Sequence, residues 1–339
     1  FLPTGTEGVQ AAIRIARKFT GRDLIGKFEG GYHGQADNVM VSVSATSENR
    51  GTESDPKRVP YHCHLPKTVV DLTVVLPFND IEACSKIIER HADDLAGILI
   101  EPMLGFAGAI PAEQDFIDKL RLLTKKYGIL LCFDEVITGF GRTGEMFAAD
   151  TFHTTPDIIC MAKGMASGYS PISGIAISDR IAQAFLGAED AAFMHASTYG
   201  GNPVSCAAAV ANISEIVERD LCRRSREMGE YLRNRLERLT DLGIVGQIRG
   251  RGLTTAVEFV KDPETKEPFP KEMQIGLKIG LAALAKGLLT RYRFDWIEFT
   301  PPLIISESEI DQMVDITYDC AVEVLGRIGT GRQTGGDQP

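Results

Sequence analysis

Two charged side chains of opposite sign each follow a short apolar run in this chain. Asp134 follows the run 130–133, and Lys163 follows the run 158–162. Runs of this kind are typical of strands buried on both faces, as in a parallel sheet covered by helices. Ligands of such sheets bind just beyond the carboxyl ends of the strands. A buried carboxylate is costly without an opposite charge, so we expect Asp134 and Lys163 to lie on neighbouring strands and face one crevice.

Two further motifs could bind parts of a ligand. Thr4 and Glu7 fit a capping box, and the helix start between them places Gly5 and Thr6 where backbone N–H groups can bind an anion. From this motif alone, a capped helix start without a ligand is the favoured interpretation. Tyr32 is flanked by glycines, which would allow its ring to stack on a flat ligand, although a tight turn with a packed ring also fits.

Other polar residues have more than one interpretation. Glu101 ends a strand-like run, 97–100, and is another strand-end carboxylate. Thr198 lies in a turn before Pro203 and is either a loop hydroxyl or a phosphate donor. The glycines of 139–144 match G-x-G-x-x-G, which raises the alternative of a nicotinamide-dependent dehydrogenase. That fingerprint must join the first strand directly to a helix, and its position after Asp134 argues against this alternative.

The composition excludes several classes of protein. The chain has 339 residues, of which 44% are hydrophobic, and its net charge is -10, which argues against a nucleic-acid-binding surface. No apolar stretch approaches the roughly 20 residues that span a membrane. Seven scattered cysteines without a Cys-x-x-Cys pair indicate free thiols in a reducing, cytoplasmic compartment. We expect no metal site, because the histidines at 62 and 64 have no second ligand cluster.

Strand-like and helix-like segments alternate along most of the chain, which predicts an α/β fold with a mostly parallel, helix-covered sheet. The composition changes near residue 220. We therefore predict a large domain at 1–219, a smaller C-terminal α/β domain at 220–328 and a disordered tail at 329–339. The chain opens without a methionine, so we also expect that an N-terminal segment is missing and that targeting cannot be read.

One cofactor would use a helix-start anion site, a stacking ring, a buried carboxylate and a nearby lysine. Pyridoxal 5'-phosphate is planar and phosphorylated, forms a Schiff base with lysine, and takes a carboxylate partner at its pyridinium nitrogen. Each motif alone is weak evidence. Their order along one chain is what favours this cofactor.

The same motifs carry a family resemblance that covers nearly the whole chain except its tail. The chain resembles the class III pyridoxal-phosphate-dependent aminotransferases, which have the aspartate-aminotransferase-like fold type I. The resemblance implies transfer of an amino group from an amine or amino acid to a keto acid or aldehyde. The segments that match in the family's order are 4–7, 31–34, 101–102, 134–140, 163–164 and 198–203.

The resemblance implies roles around the cofactor ring. Lys163 would form the Schiff base and later move the proton. Asp134 would keep the pyridine nitrogen protonated, so that the ring can accept electrons. Tyr32 and Val136 would lie on the two faces of the ring.

It also implies roles farther from the ring. Gly5 and Thr6 would bind the phosphate, and Thr198 would reach the phosphate of the partner subunit in a homodimer. Glu101 would lie near the ring and orient neighbouring groups. Arg291 matches an arginine that binds the substrate carboxylate in amine:pyruvate-type members.

Two departures from the family pattern bear on the substrate. Phe106 stands where the ornithine and 4-aminobutyrate branches carry a glutamate, which argues against an arginine–glutamate switch of their kind. The segments 19–23 and 27–34 and the long 44–68 loop are similar to glutamate-1-semialdehyde 2,1-aminomutase, whereas 140–144 and 195–202 are closer to ordinary transaminases. An aminotransferase is the favoured interpretation, and intramolecular amino transfer is the alternative.

Overall fold

A computed structural model describes residues 1–46, 48–62, 64–187 and 189–330. The described chain forms two compact units: Phe1–Ala107 with Pro111–Asp220, and Gly108–Ile110 with the chain from Leu221 onward. The predicted domain boundary at 219 and 220 stays a prediction.

The helices are α1 (Gly5–Thr20), α2 (Lys67–Val70), α3 (Ile81–Arg90), α4 (Gln114–Tyr127), α5 (Ala148–Thr151), α6 (Asp179–Ala184), α7 (Pro203–Glu218), α8 (Leu221–Leu236), α9 (Ile275–Ala285) and α10 (Glu307–Thr330).

Most of the strands are short. They are β1 (Leu24–Phe28), β2 (Gly51–Thr52), β3 (Asp55–Pro56), β4 (Thr73–Leu76), β5 (Leu95–Ile100), β6 (Met103–Leu104), β7 (Ile110–Pro111), β8 (Leu130–Asp134), β9 (Ile158–Met161), β10 (Gly174–Ile177), β11 (Val245–Arg251), β12 (Thr254–Phe259), β13 (Arg291–Tyr292) and β14 (Trp296–Phe299).

A six-stranded sheet organises the first unit, in the order β10-β9-β8-β5-β1-β4. All neighbouring strands are parallel except β10, which runs antiparallel to β9. This confirms the predicted mostly parallel sheet. Strand β8 lies beside β9, with Asp134 opposite Cys160, so the two predicted strand ends reach the same edge of the sheet.

Helices cover both faces of this sheet because its central strands are apolar on both sides. All residues of β5 and β8 are buried. On one face, Phe116 and Leu120 of α4 pack with Phe133 of β8. On the other face, Ile13 of α1 packs with Leu99 of β5. Burying each such side chain contributes roughly 1.5–3 kcal/mol, so this packing fixes where the strand ends and the start of α1 lie.

The second unit is built on a four-stranded antiparallel sheet, in the order β11-β12-β14-β13. Helices α8, α9 and α10 pack with it around one apolar core, which includes Leu232, Val257, Ile279, Phe299 and Ile310. This is the smaller α/β unit that the sequence predicts.

Several local features add detail to the expectations from the sequence. Glu309 and Ser306 cap α10 reciprocally. Strand β13 is short, because only Arg291 and Tyr292 pair with β14. The 44–68 loop contains the small β2–β3 ribbon. Helix α10 continues to Thr330, past the predicted start of the tail at 329, and residues 331–339 lie outside the described residues.

Candidate active site

The start of α1 forms one wall of a cavity. Thr4 caps the helix by accepting a hydrogen bond from the backbone N–H of Glu7 at 3.3 Å. The Ser173 hydroxyl donates to the backbone oxygen of Thr4 at 2.7 Å and so fixes the turn before the helix. A Cβ at Gly5 would lie 3.2 Å from both methyl groups of Val136. Gly5 therefore allows the helix start to lie close to the chain that follows β8.

The glycine-rich loop after β1 meets the same helix start. Gly34 has a φ of +90°, and a Cβ there would lie 2.9 Å from the Cα of Thr6. The Thr6 hydroxyl accepts a hydrogen bond from the backbone N–H of Gln35 at 3.3 Å. This close approach brings Tyr32 and His33 to the cavity. The Tyr32 ring stacks on Phe106, with 5.2 Å between ring centroids.

Asp134 is buried at the end of β8, and its carboxylate has two partners. Nδ1 of His33 lies 2.8 Å from Oδ2, and the backbone N–H of Val136 donates to Oδ1 at 3.1 Å. The sequence predicts Asp134 and Lys163 at one crevice, and both line the same cavity; His33 is an additional partner that contacts the carboxylate directly. The imidazole comes from the loop after β1, and the carboxylate is thereby fixed in one orientation.

The adjacent carboxylate, Glu135, has a structural role. It is fully buried, and it accepts hydrogen bonds from the Thr138 hydroxyl and from the backbone N–H groups of Ala148 and Ala149 at the start of α5. Burial raises its pKa to about 7, and these hydrogen bonds oppose that rise. Successive side chains point to opposite faces at a strand end. Asp134 therefore faces the cavity, whereas its neighbour Glu135 binds the start of α5.

Lys163 follows β9 in a 3₁₀ turn, Lys163–Met165, with a φ of +39°. A non-glycine residue rarely adopts this left-handed conformation. The amide of Asn212 on α7 donates to the backbone oxygens of Gly164 at 2.7 Å and Met165 at 3.2 Å. Helix α7 thereby holds the turn that carries the lysine, whose side chain is exposed and lines the cavity.

Glu101 lies at the end of β5 and is almost completely buried. One of its oxygens accepts from the backbone N–H of Tyr32 at 2.8 Å, and the other from that of Gly105 at 3.2 Å. Burial raises the pKa of Glu101 to about 7, and Asp134 adds to the rise, whereas His33 and the two hydrogen bonds oppose it. Glu101 therefore fixes the backbone of Tyr32.

These elements enclose a cavity of about 430 Å³ at the carboxyl ends of the parallel strands. Seven of the nine predicted site residues line it: Gly5, Thr6, Tyr32, Glu101, Asp134, Val136 and Lys163.

The two remaining predicted site residues lie elsewhere. Thr198 is exposed in the turn before α7, and it is not among the residues that line the cavity. Arg291 belongs to the second unit, where its guanidinium lies 3.6 Å from the carboxylate of Glu298 in a directly opposed pair between β13 and β14.

Sequence reasoning missed two residues that hold parts of the site: His33, which contacts Asp134, and Asn212, which holds the turn of Lys163. His33 had the clearest signal, because it stands between the stacking Tyr32 and Gly34, and a buried Asp134 needs a partner. Asn212 lies within a helix far along the chain, and its spacing from Lys163 carries no signal.

The glycine-rich match at 139–144 does not open a helix. It forms successive turns after β8, in which the backbone N–H of Phe140 donates to the oxygen of Met146 at 2.6 Å. The helix that follows, α5, has only four residues. The loop therefore lacks the strand–helix junction of a dinucleotide site.

Neither a metal-binding cluster nor a membrane-spanning helix is present among the described residues. No group of three or more His, Cys, Asp or Glu side chains there could hold a metal ion. None of the described helices combines the length and apolar character needed to cross a membrane.

The amino-acid sequence of this chain is similar to those of several curated aminotransferases. An adenosylmethionine-8-amino-7-oxononanoate aminotransferase from Nitratidesulfovibrio vulgaris is 32% identical over 99% of this chain and 66% of its own length. A vanillin aminotransferase from Capsicum chinense is 33% identical over 75% of this chain and 55% of its own length. The chain thus spans between about half and two thirds of these curated relatives.

The fold of this chain is also similar to solved structures of transaminases. A crystal structure of an amine transaminase from an uncultivated Pseudomonas species, in its PLP-bound form, has a TM-score of 0.83 and 27% identity, covering 95% of this chain and 76% of that one. The family model described as aminotransferase class-III matches residues 1–320. The chain therefore belongs to the class III aminotransferase family.

Proposed function

We propose that this chain carries the cofactor-binding and catalytic residues of a pyridoxal-phosphate-dependent aminotransferase. The observation that supports this most directly is the juxtaposition of Lys163, the Asp134–His33 pair, Tyr32 and the start of α1 around one cavity. An amine, a fixed carboxylate, an aromatic ring and a helix N-terminus are what this cofactor requires of a protein.

The residues present fit the group in shape and in chemistry. Gly5 and Gly34 lie where a Cβ would press on the Val136 side chain and on Thr6, so the cavity wall is closely packed at both glycines. Nε2 of the buried His33 has no hydrogen-bond partner among the described residues. A buried polar atom of this kind calls for an explanation, and a polar ligand in the cavity beside His33 would provide one.

When bound, pyridoxal phosphate supplies an aldehyde that condenses with amines and a ring that withdraws electrons from the donor carbon. Lys163 would hold the group covalently through Nζ and, when its amine is released, would move a proton at the donor carbon. Asp134, fixed by His33, would keep a proton on the ring nitrogen. Tyr32 and Val136 would pack on the ring faces, and N–H groups at Gly5 and Thr6 would bind the phosphate.

We assign Glu101 and Arg291 to substrate recognition. Glu101 fixes the backbone of Tyr32 and would thereby orient the groups around the ring. Arg291 would bind a substrate carboxylate, since a guanidinium pairs readily with a carboxylate. The substrates in this proposal are an amine or amino acid donor and a keto acid or aldehyde acceptor.

The proposal extends to a homodimer in which Thr198 reaches the partner's phosphate site. Its support is that Thr198 is exposed and that several large apolar side chains of the first unit are also exposed, among them Tyr169, Met194, Tyr199 and Val204. We expect Thr198→Ala to weaken cofactor affinity several-fold, and Thr198→Ser, which keeps the hydroxyl, to retain it. Unchanged affinity in the alanine variant would leave Thr198 as a loop hydroxyl.

The experiment that tests the proposed activity is a visible absorbance titration with pyridoxal phosphate, followed by a panel of amine donors. We expect an absorbance band that bleaches with an amine and returns with a keto acid. A band that responds only to glutamate-1-semialdehyde or its diamino and dioxo analogues would indicate intramolecular transfer instead. Absence of any band, both here and in a protein with an added N-terminal segment, would refute the proposal.

A further inference from the structure

Lys27 is an ionisable residue buried within the parallel sheet, on the strand next to its β4 edge. It lies in β1, opposite Val75 of β4 and Leu99 of β5, and its exposed fraction is 0%. A buried ammonium group is costly unless hydrogen bonds stabilise it. Its Nζ donates to the backbone oxygen of Val41 at 2.6 Å and to that of Phe28 at 3.2 Å.

These two backbone oxygens mark the two ends of one segment, residues 28–41, which we call the 28–41 segment. The same two ends are joined nearby by a hydrogen bond from the N–H of Gly30 to the oxygen of Ser42, at 2.9 Å. Tyr32 and His33 lie between the ends and line the cavity. One ammonium group thus fastens the point where this segment leaves the sheet to the point where it returns.

Glu101 holds the same segment from its middle. One carboxylate oxygen accepts from the backbone N–H of Tyr32, at 2.8 Å. Burial lowers the pKa of Lys27 to about 7, and attraction to Glu101 and then Glu29 opposes that lowering. Two buried ionisable groups, Lys27 and Glu101, therefore act on one segment, through its ends and through the backbone of Tyr32.

We infer that Lys27 is a positioning residue of the candidate active site, where it fixes both ends of the 28–41 segment and, together with Glu101, holds Tyr32 and His33 at the cavity. The identity of the ligand in this inference rests on the proposed function. The position of the segment is a property of the protein alone and can be measured without a ligand.

A purely structural role for Lys27 makes a different prediction. Replacing a buried charge by an apolar side chain of similar size is often neutral or stabilising for a fold. If Lys27 only fills the sheet, Lys27→Met leaves both the segment and the cavity intact. If Lys27 positions the segment, the same substitution keeps or raises the melting temperature and yet loosens residues 28–41.

The first test is amide hydrogen exchange on the protein without added ligand. We expect Lys27→Met to speed exchange in the 28–41 segment roughly tenfold, about the factor that one hydrogen bond from a charged group contributes, with little change in the other strands. The matched control is Ile25→Ala, which removes a buried side chain from the same face of the same strand and should lower the melting temperature without selective loosening of the segment.

The second test is the dissociation constant for pyridoxal phosphate. We expect it to rise roughly tenfold in Lys27→Met. The effect should be smaller when Glu101→Gln is already present, because the two side chains act on one segment. Should Lys27→Met not fold, the same two measurements on Lys27→Gln decide the question.

Unchanged exchange of residues 28–41 together with an unchanged dissociation constant would overturn the inference. Faster exchange in a protein that binds no pyridoxal phosphate even as wild type would refute the proposed function and support the positioning role. Loosening that spreads evenly over the whole sheet, as in the Ile25→Ala control, would assign Lys27 a purely structural role.

Discussion

The cavity of the first unit and the sheet of the second unit bury carboxylates in different ways. The two acids that line the cavity are held largely by the backbone: Glu101 accepts from two backbone N–H groups, and Asp134 from one N–H and from His33. In the second unit, Glu298 is almost completely buried, but Arg291 lies 3.6 Å away and one of its oxygens has no hydrogen-bond partner among the described residues.

The difference concerns how firmly each carboxylate is placed. A backbone donor can move only with its strand or loop, so the fold itself sets the position of Glu101 and Asp134. An arginine side chain has several rotatable bonds, so its pairing with Glu298 can adjust. The cavity of the first unit therefore suits chemistry that needs fixed geometry, whereas the Arg291–Glu298 pair can rearrange.

The largest effect that would sharpen this contrast concerns the first unit. We expect Lys163→Ala to lower turnover by roughly a thousandfold or more and to abolish the covalent adduct that borohydride traps with pyridoxal phosphate. Peptide mapping of the reduced protein measures the adduct. A trapped adduct at another lysine of the variant would contradict the assignment of Lys163.

The neighbouring acids Asp134 and Glu135 offer a matched pair for the next test. We expect Asp134→Asn to lower turnover roughly 100- to 1000-fold, because it removes a fixed charge from the cavity, and to leave cofactor binding measurable. Glu135→Gln should cost about 1–3 kcal/mol of unfolding free energy, because it weakens the cap of α5. Its turnover should stay near normal below the melting temperature, and equal losses of turnover in both variants would break the distinction.

Glu298 and Glu101 form a second pair, which can be compared by pH. Burial raises the pKa of Glu298 from 4.5 to about 7, while Arg291 and Arg249 oppose the rise. The ionised carboxyl therefore destabilises the fold progressively as pH rises from about 4.5 to 7, and fully above that range. We expect Glu298→Gln to stabilise the protein at pH 8 by at most about 3 kcal/mol relative to wild type, and not at pH 4.5.

Urea unfolding at several pH values measures this gain. Glu101→Gln is the comparison variant. The glutamine oxygen can accept from only one of the two backbone N–H groups, those of Tyr32 and Gly105, and its NH₂ group would face the other. We expect its gain at pH 8 to be smaller, since a buried donor loses its acceptor. Equal gains in the two variants would mean that backbone donors hold a carboxylate no better than the arginines do.

The smallest expected effect belongs to Arg291. Arg291→Ala should lower kcat/KM for donors with a carboxylate about tenfold to a hundredfold, as expected for the loss of one charged hydrogen-bonding pair. Donors without a carboxylate should be nearly unaffected, and the trapped adduct at Lys163 should persist. Equal losses for both donor classes would contradict a role in carboxylate recognition.

Residues at the ends of strands were the most predictable part of the site. Asp134, Glu101 and Lys163 could be assigned because apolar runs identify buried strands, and the carboxyl ends of parallel strands meet at one edge. The start of α1 was predictable because the Thr4 cap is a local signal.

The partners of these residues could not be predicted in the same way. His33 reaches Asp134 because only β5 lies between β1 and β8 in the sheet, and Lys27 reaches the oxygen of Val41 because the chain after β1 folds back on the end of that strand. Strand order is a property of the packed chain, and the spacing of residues does not encode it. The pairing of Arg291 with Glu298 likewise depends on the register between β13 and β14.

The left-handed backbone of Lys163 has an evolutionary consequence. A φ of +39° at a residue with a β-carbon costs on the order of 1 kcal/mol or more, and glycine would adopt it with little strain. Selection for turnover would then be what keeps a lysine at this turn. In a descendant that kept the fold but lost catalysis, replacement of Lys163 by glycine would relieve the strain and stabilise the fold. We therefore expect this position to change early after a loss of activity.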